Sequence, residues 1–223
     1  MGVKGKATQE LAKLGQKSLE TADKAGGWLD NIFGSGFRHL GGAFEDSMAA
    51  YRVRNRVKVL QKTKKVIEES GMEGTIDQLD PRIAVPMLNA IADENDEVLQ
   101  DVWAAYIANA VNPSKPKPDR LLIEIIKQLE PSDWAILQKI FGKENGVIGV
   151  AEFEMDADAL RVSLDRMEVL RLFDYDDPTI PYLVTSQSDF SQHRLVIEIG
   201  DAAYITTKLL KRLDAATRIH EQK

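Results

Sequence analysis

The sequence predicts a mainly α protein in three parts. These are an N-terminal amphipathic helical arm over residues 1–48, a central helical bundle over 49–129 and a C-terminal winged-helix-like α+β module over 130–223. Three observations carry that reading. Apolar residues recur at helical spacing in one segment after another, as in Val53, Val57, Leu60 and Ile67. Breaker residues fall mostly between those segments, at Gly71, Asp80-Pro81, Asn112-Pro113 and Glu130-Pro131. A strand-like run, Leu195-Val196-Ile197-Glu198-Ile199 closed by Gly200, comes only late in the chain.

The arm opens with an expected helix over residues 4–25, whose apolar seam is thin: Ala7, Leu11, Leu14, Ser18 and Ala25. Residues 26–44, GGWLDNIFGSGFRHLGGAF, follow. Placed on a helix at about 100° per residue, Trp28, Leu29, Ile32, Phe33, Phe37, Leu40 and Phe44 share one half of the circumference. Asp30, Asn31, Gly34, Arg38, Gly41 and Gly42 share the other. Each interior glycine costs a helix about 1 kcal/mol relative to alanine. A helix so weakened needs a surface to lie on, either a protein groove or lipid.

The next helix is expected from Glu45 to Ser70, stopped by Gly71. Arg54, Lys58 and Lys62 repeat every four residues beside its apolar seam and form a basic stripe, with Lys65 next to it. Asp80 and Pro81 mark a helix start over 82–93, where Pro86 suits a first turn or a break. The acids of Asp93-Glu94-Asn95-Asp96-Glu97 suit the N-terminus of the following helix, which carries Leu99, Val102, Trp103, Tyr106 and Ile107. Residues 113–118, PSKPKP, read as an exposed turn, and Asp119 caps a helix over 120–129. Beyond Pro131 come a helix from Trp134 to Phe141, a loop over 142–149 and a short strand over 150–155. A helix over 157–172, a polar loop over 173–193, the strand 195–199 and a last helix over 201–219 complete the module. This is the element order of a winged helix. Its would-be recognition helix balances Arg161, Arg166 and Arg171 against Asp158, Asp165 and Glu168, so nucleic acid is not an expected partner.

Charge divides the chain. Residues 1–70 hold 13 Lys/Arg against 8 Asp/Glu, a net of +5, and the remainder holds 16 against 27, a net of −11. A basic arm beside an acidic body either meets anions elsewhere or pairs with that body.

Chemistry is hard to place. There is no cysteine, which excludes a disulfide frame, a Cys-ligated metal and a thiol nucleophile. His39, His193 and His220 stand in unrelated contexts, and no HExxH, GxxxxGK[ST] or GxSxG pattern occurs. Asp93, Glu94, Asp96, Glu97 and Asp101 lack the spacing of a calcium loop, so helix capping accounts for them better. Trp103, Tyr106 and Trp134 sit on apolar helix faces and are expected in the core. No catalytic residue, cofactor or metal is expected, and no apolar run reaches the 18 residues of a membrane-spanning helix.

Two stretches together carry a resemblance: YRVRNRVKVLQKTKKVIEESGM at 51–72, and ENDEVLQDVWAAYIANAVNP at 94–113 followed by DRLLIEIIKQLEPSDWAIL at 119–137. The chain resembles the abortive-infection alpha (Abi-alpha) family of bacterial proteins over roughly residues 45–210. The resemblance implies phage defence, in which an infected cell stops growing or dies before phage matures. It implies no catalytic residues, and it leaves the arm unassigned.

The expectation is therefore a non-enzymatic defence protein acting through the arm. The residues in contact with membrane or partner would be Trp28, Leu29, Ile32, Phe33, Phe37, Leu40, Phe44, Arg38, Arg54, Lys58 and Lys62. The expected partners are inner-membrane lipid, further copies of the chain and a phage or host protein that acts as trigger. The expected location is the cytoplasm, with peripheral attachment to the inner membrane. The alternative is a soluble interaction module that senses a phage or host protein through its winged-helix-like part, with the arm packed on its own body.

Overall fold

Glycine decides where the arm's described helix stops. In the computed structural model, which describes residues 27–34, 47–72, 75–143, 146–176, 195–199 and 202–219, helix α1 spans only Trp28–Phe33. Gly34 follows at φ +77°, a left-handed value that breaks the helix. One unbroken amphipathic helix through to Phe44 is thus corrected, because it is interrupted at Gly34. The rest of that stretch, and the expected helix over 4–25, lie outside the described residues.

The chain divides into two compact units, Met1–Lys127 with Ala216–Lys223, and Gln128–Ala215. The first contains α1, α2 (Ser47–Glu69), α3 (Pro81–Asp93), α4 (Glu97–Ala110) and α5 (Arg120–Ile126). Helix α2 ends where Gly71, at φ +65°, lets Met72 N–H reach Ile67 O and Gly71 N–H reach Glu68 O, a Schellman turn. Asp80 and Asp119 cap α3 and α5 by accepting backbone N–H bonds, as the sequence predicts, and within the acidic run before α4 the cap is Asp96. Pro86 sits inside α3, and the helix runs through it. The centre of the unit is α4, buried from Leu99 to Ala110 except at Asp101. A helix buried all round reads as apolar all round, which is how residues 102–108 read. Trp103 and Tyr106 meet edge to face in this core, and α2 packs along both α3 and α4.

The second unit holds α6 (Pro131–Ile140), β1 (Gly146–Gly149), a 3-10 turn (Val150–Glu152), α7 (Ala157–Val169), β2 (Phe173–Asp176), β3 (Leu195–Ile199), β4 (Ala202–Thr206) and most of α8 (Lys208–Thr217). The four strands form one mixed sheet in the order β1-β3-β4-β2, with β1 parallel to β3 and the other pairs antiparallel. Mainly helical with a C-terminal α+β module is therefore the fold class. Three local expectations are corrected. The strand expected over 150–155 lies earlier, at Gly146–Gly149, and Val150–Glu152 is the 3-10 turn. Residues 173–176 form β2 where a loop was expected. The last helix starts at Lys208, because Tyr204, Ile205 and Thr206 suit a pleated surface and form β4 first.

Asp133 and Arg166 join α6 to α7. The Asp133 carboxylate is wholly buried and accepts from Glu130 N–H and from Arg166 Nε and Nη2, the latter two at 2.9 and 2.8 Å. The carboxylate's hydrogen bonds raise the Arg166 pKa above its ordinary value, although partial burial opposes this.

Candidate functional site

In helix α1, Leu29, Ile32 and Phe33 are 1%, 0% and 7% exposed. Trp28 is half-buried, and its Nε1 is buried without a hydrogen-bond partner. Residues 75–80 run without helix or strand between α2 and α3, and this strip receives α1. Leu79 N–H donates to Ile32 O at 2.8 Å, and two residues earlier Asp77 N–H donates to Val111 O at 2.7 Å. The strip is thus bonded to α1 at one point and to the end of α4 at another. Gly34 abuts it as well: a Cβ there would stand 2.5 Å from Gln78 Nε2. The described part of the arm is therefore buried along its apolar residues and hydrogen-bonded to the strip. Phe37, Arg38, Leu40 and Phe44 lie outside the described residues.

The basic stripe is matched by acids. Lys58 pairs with Glu97 at 3.6 Å and Lys62 with Asp101 at 2.7 Å, both four-residue steps, so the two helices run in the same direction here. Lys62 Nζ also donates to Glu97 O at 2.9 Å. Arg52 continues the ladder to Asp93 at 2.9 Å. Only Arg54 stands apart, exposed, with its guanidinium 5.6 Å from the Tyr51 ring centre. Each exposed pair contributes about 0–1 kcal/mol. Their joint effect is to align α2 with α4 and occupy most of the stripe's charge within the unit.

Beneath the ladder lie residues that the sequence reading passed over. Asn55, buried, donates to Ala92 O at 3.1 Å, and Arg56 Nε donates to Leu88 O at 3.0 Å. Burial lowers the Arg56 pKa, and the neighbouring Arg52 charge lowers it further, while Asp93 opposes both. Asn109 donates from Nδ2 to Ala216 O and Arg218 O at 3.0 and 3.1 Å and so fixes residues 216–218 to α4. Polar residues on an apolar helix are the available sequence signal for such clamps, because a buried amide must be bonded.

Asp96 serves as a cap and Glu94 Oε1 accepts its N–H, while Asp93, Glu97 and Asp101 hold the ladder. Among the described residues no group of three or more His, Asp or Glu is placed to hold a metal, and no helix is long and apolar enough to cross a membrane.

Against known proteins, the model of a family described as "Abortive infection alpha" matches residues 50–176. No curated protein and no solved structure matches the chain.

Proposed function

The chain belongs to the abortive infection alpha family, and on that premise we propose that it defends against phage without catalysis, as an interaction module whose N-terminal arm rests on its own helical unit. The family carries the defence role. The burial of Leu29, Ile32 and Phe33, together with the bond from Leu79 N–H to Ile32 O, supports the resting position of the arm. The ladder of Arg52, Lys58 and Lys62 supports it too, because these cations are already engaged by acids. The α+β unit, winged-helix-like in element order, is the proposed contact for a phage or host protein.

A second reading keeps the arm as a membrane effector, released on infection. The further apolar residues Phe37, Leu40 and Phe44 of the sequence, with Arg38 among them, favour it. Leakage from vesicles of phosphatidylethanolamine and phosphatidylglycerol separates the two. The interaction reading expects no leakage from the full chain or from Ile32→Asp, which expels α1 from its seat. Leakage confined to Ile32→Asp, and lost in Ile32→Asp/Phe37→Asp, would replace it with the membrane reading.

A further inference from the structure

A cleft of about 580 Å³ opens in the first unit between the 77–80 strip, the start of α3, the end of α4 and the segment before α5. Its volume lies in the range of small-molecule sites, about 300–1,000 Å³. Its walls are of two kinds. Ile83, Ala110 and Pro118 supply apolar surface. Three cations, Arg82, Lys117 and Arg120, and two acids, Asp77 and Asp80, share the lining, which gives a formal net charge of +1.

The pairing of these charges fixes where the surplus lies. Lys117 is bound to Asp77, and Arg82 lies against Asp80 through both Nε and Nη2. Arg120 has no ion-pair partner among the described residues. The site is also formed in advance. Asp77 N–H is bonded to Val111 O and Leu79 N–H to Ile32 O, so the strip is tied at two alternate residues. Asp80 is further held by its bonds to Arg82 N–H and the Arg82 guanidinium. A preformed concavity loses little ordering entropy on binding.

We propose that this cleft is a binding site for a small amphiphilic anion, its apolar body against Ile83, Ala110 and Pro118 and its single negative charge at Arg120. One free cation beside apolar walls selects one anionic group attached to hydrophobic surface. A highly charged ligand would meet Asp77 and Asp80 as well. The proposal rests in part on α1 in its seat, because Ile32 O holds one of the strip's two ties.

The probe is 8-anilinonaphthalene-1-sulfonate, which joins aromatic rings to one sulfonate, titrated into the full chain and followed by fluorescence and by calorimetry. The expected result is saturable binding of one molecule. Arg120→Glu should weaken it about tenfold or more, since both the attraction and its reversal act at contact distance. Arg120→Lys should keep most of the affinity. Arg54→Glu, which removes an exposed cation elsewhere, should leave it unchanged. Both positions tested, Arg120 and Arg54, are exposed, and circular dichroism with thermal unfolding confirms that each variant folds. Absence of saturable binding overturns the proposal. So does equal affinity in Arg120→Glu, or an equal loss in Arg54→Glu, which would mean a diffuse response to charge.

Discussion

Replacing Ile32 by alanine should loosen α1 from its seat and leave the rest of the first unit folded. Ile32 is wholly buried, so the change removes buried methyl groups and leaves a void, an effect of about 2–4 kcal/mol. A tenfold change in an equilibrium constant is about 1.4 kcal/mol. The opening of α1 should therefore become roughly 30- to 1,000-fold more frequent, up to the point at which it is open all the time. Two amides two residues apart report it. Leu79 N–H is bonded to Ile32 O, whereas Asp77 N–H is bonded to Val111 O at the end of α4. Native-state hydrogen exchange should show Leu79 losing protection by that factor and Asp77 keeping its own. Equal loss at both amides would mean that the strip unfolds as a whole and that α1 is no separate element. No loss at Leu79 would mean that Ile32 does not hold α1 in place.

Other substitutions test other joints, by chemical denaturation unless stated. Arg166→Met should cost about 3 kcal/mol or more, because it leaves the buried Asp133 carboxylate without its counter-charge. If it costs no more than an exposed pair, the α6–α7 joint has been misread. Arg171 is the one described non-glycine residue at positive φ, +58°, in a Schellman turn where Arg171 N–H meets Glu168 O and Leu172 N–H meets Met167 O. Arg171→Gly should stabilise the second unit by about 0.5–1 kcal/mol, the relief of left-handed strain less the entropy glycine adds to the unfolded chain. Asp96→Ala should cost about 1 kcal/mol through loss of the cap that accepts Val98 N–H and Leu99 N–H. The hydrogen bonds from Arg82 hold the Asp80 carboxyl below the ordinary value of 3.8. Its contribution to stability is therefore present above that value and fades as pH falls through the lower folded-state pKa. Carboxyl NMR should find the midpoint below 3.8, and Arg82→Gln should move it back up.

Helices were legible where cap and seam agreed. Asp80, Asp96 and Asp119 announce their helices within three residues, and Gly71 ends α2 by a purely local turn. The sheet was harder, because β1 and β2 have four residues each and too little length for an alternation to show. Tyr204-Ile205-Thr206 was absorbed into a helix although its residue types favour a strand. At the site, the four-residue repeats of Arg54, Lys58 and Lys62 and of Glu97 and Asp101 were visible, and their mutual pairing was one of two open readings. The seat of α1 was not visible. It depends on Ile32 meeting Leu79 across 46 intervening residues, and no local pattern encodes a partner that distant.

The seat is also weak enough to be a switch. Burying Leu29, Ile32 and Phe33 contributes roughly 1.5–3 kcal/mol each, counted as side chains removed from water. Ordering the backbone of residues 27–34 costs about 1 kcal/mol or more for each residue. The burial does not outweigh the ordering, so the margin is narrow and the bond from Leu79 N–H to Ile32 O, about 1 kcal/mol net, counts within it. The unpartnered Trp28 Nε1 erodes that margin further. A trigger would not need to unfold the helical unit to free the arm. A ligand that binds the undocked state about 10⁴-fold more tightly would turn a 1:99 population into 99:1. Tightening the seat should raise that threshold. Trp28→Phe removes the unsatisfied donor while keeping most of the apolar surface. It should increase the protection of the Leu79 amide severalfold and, if release of the arm is the committed step, delay death of phage-infected cells. Increased protection with unchanged timing of death would show that the arm stays seated while the protein acts.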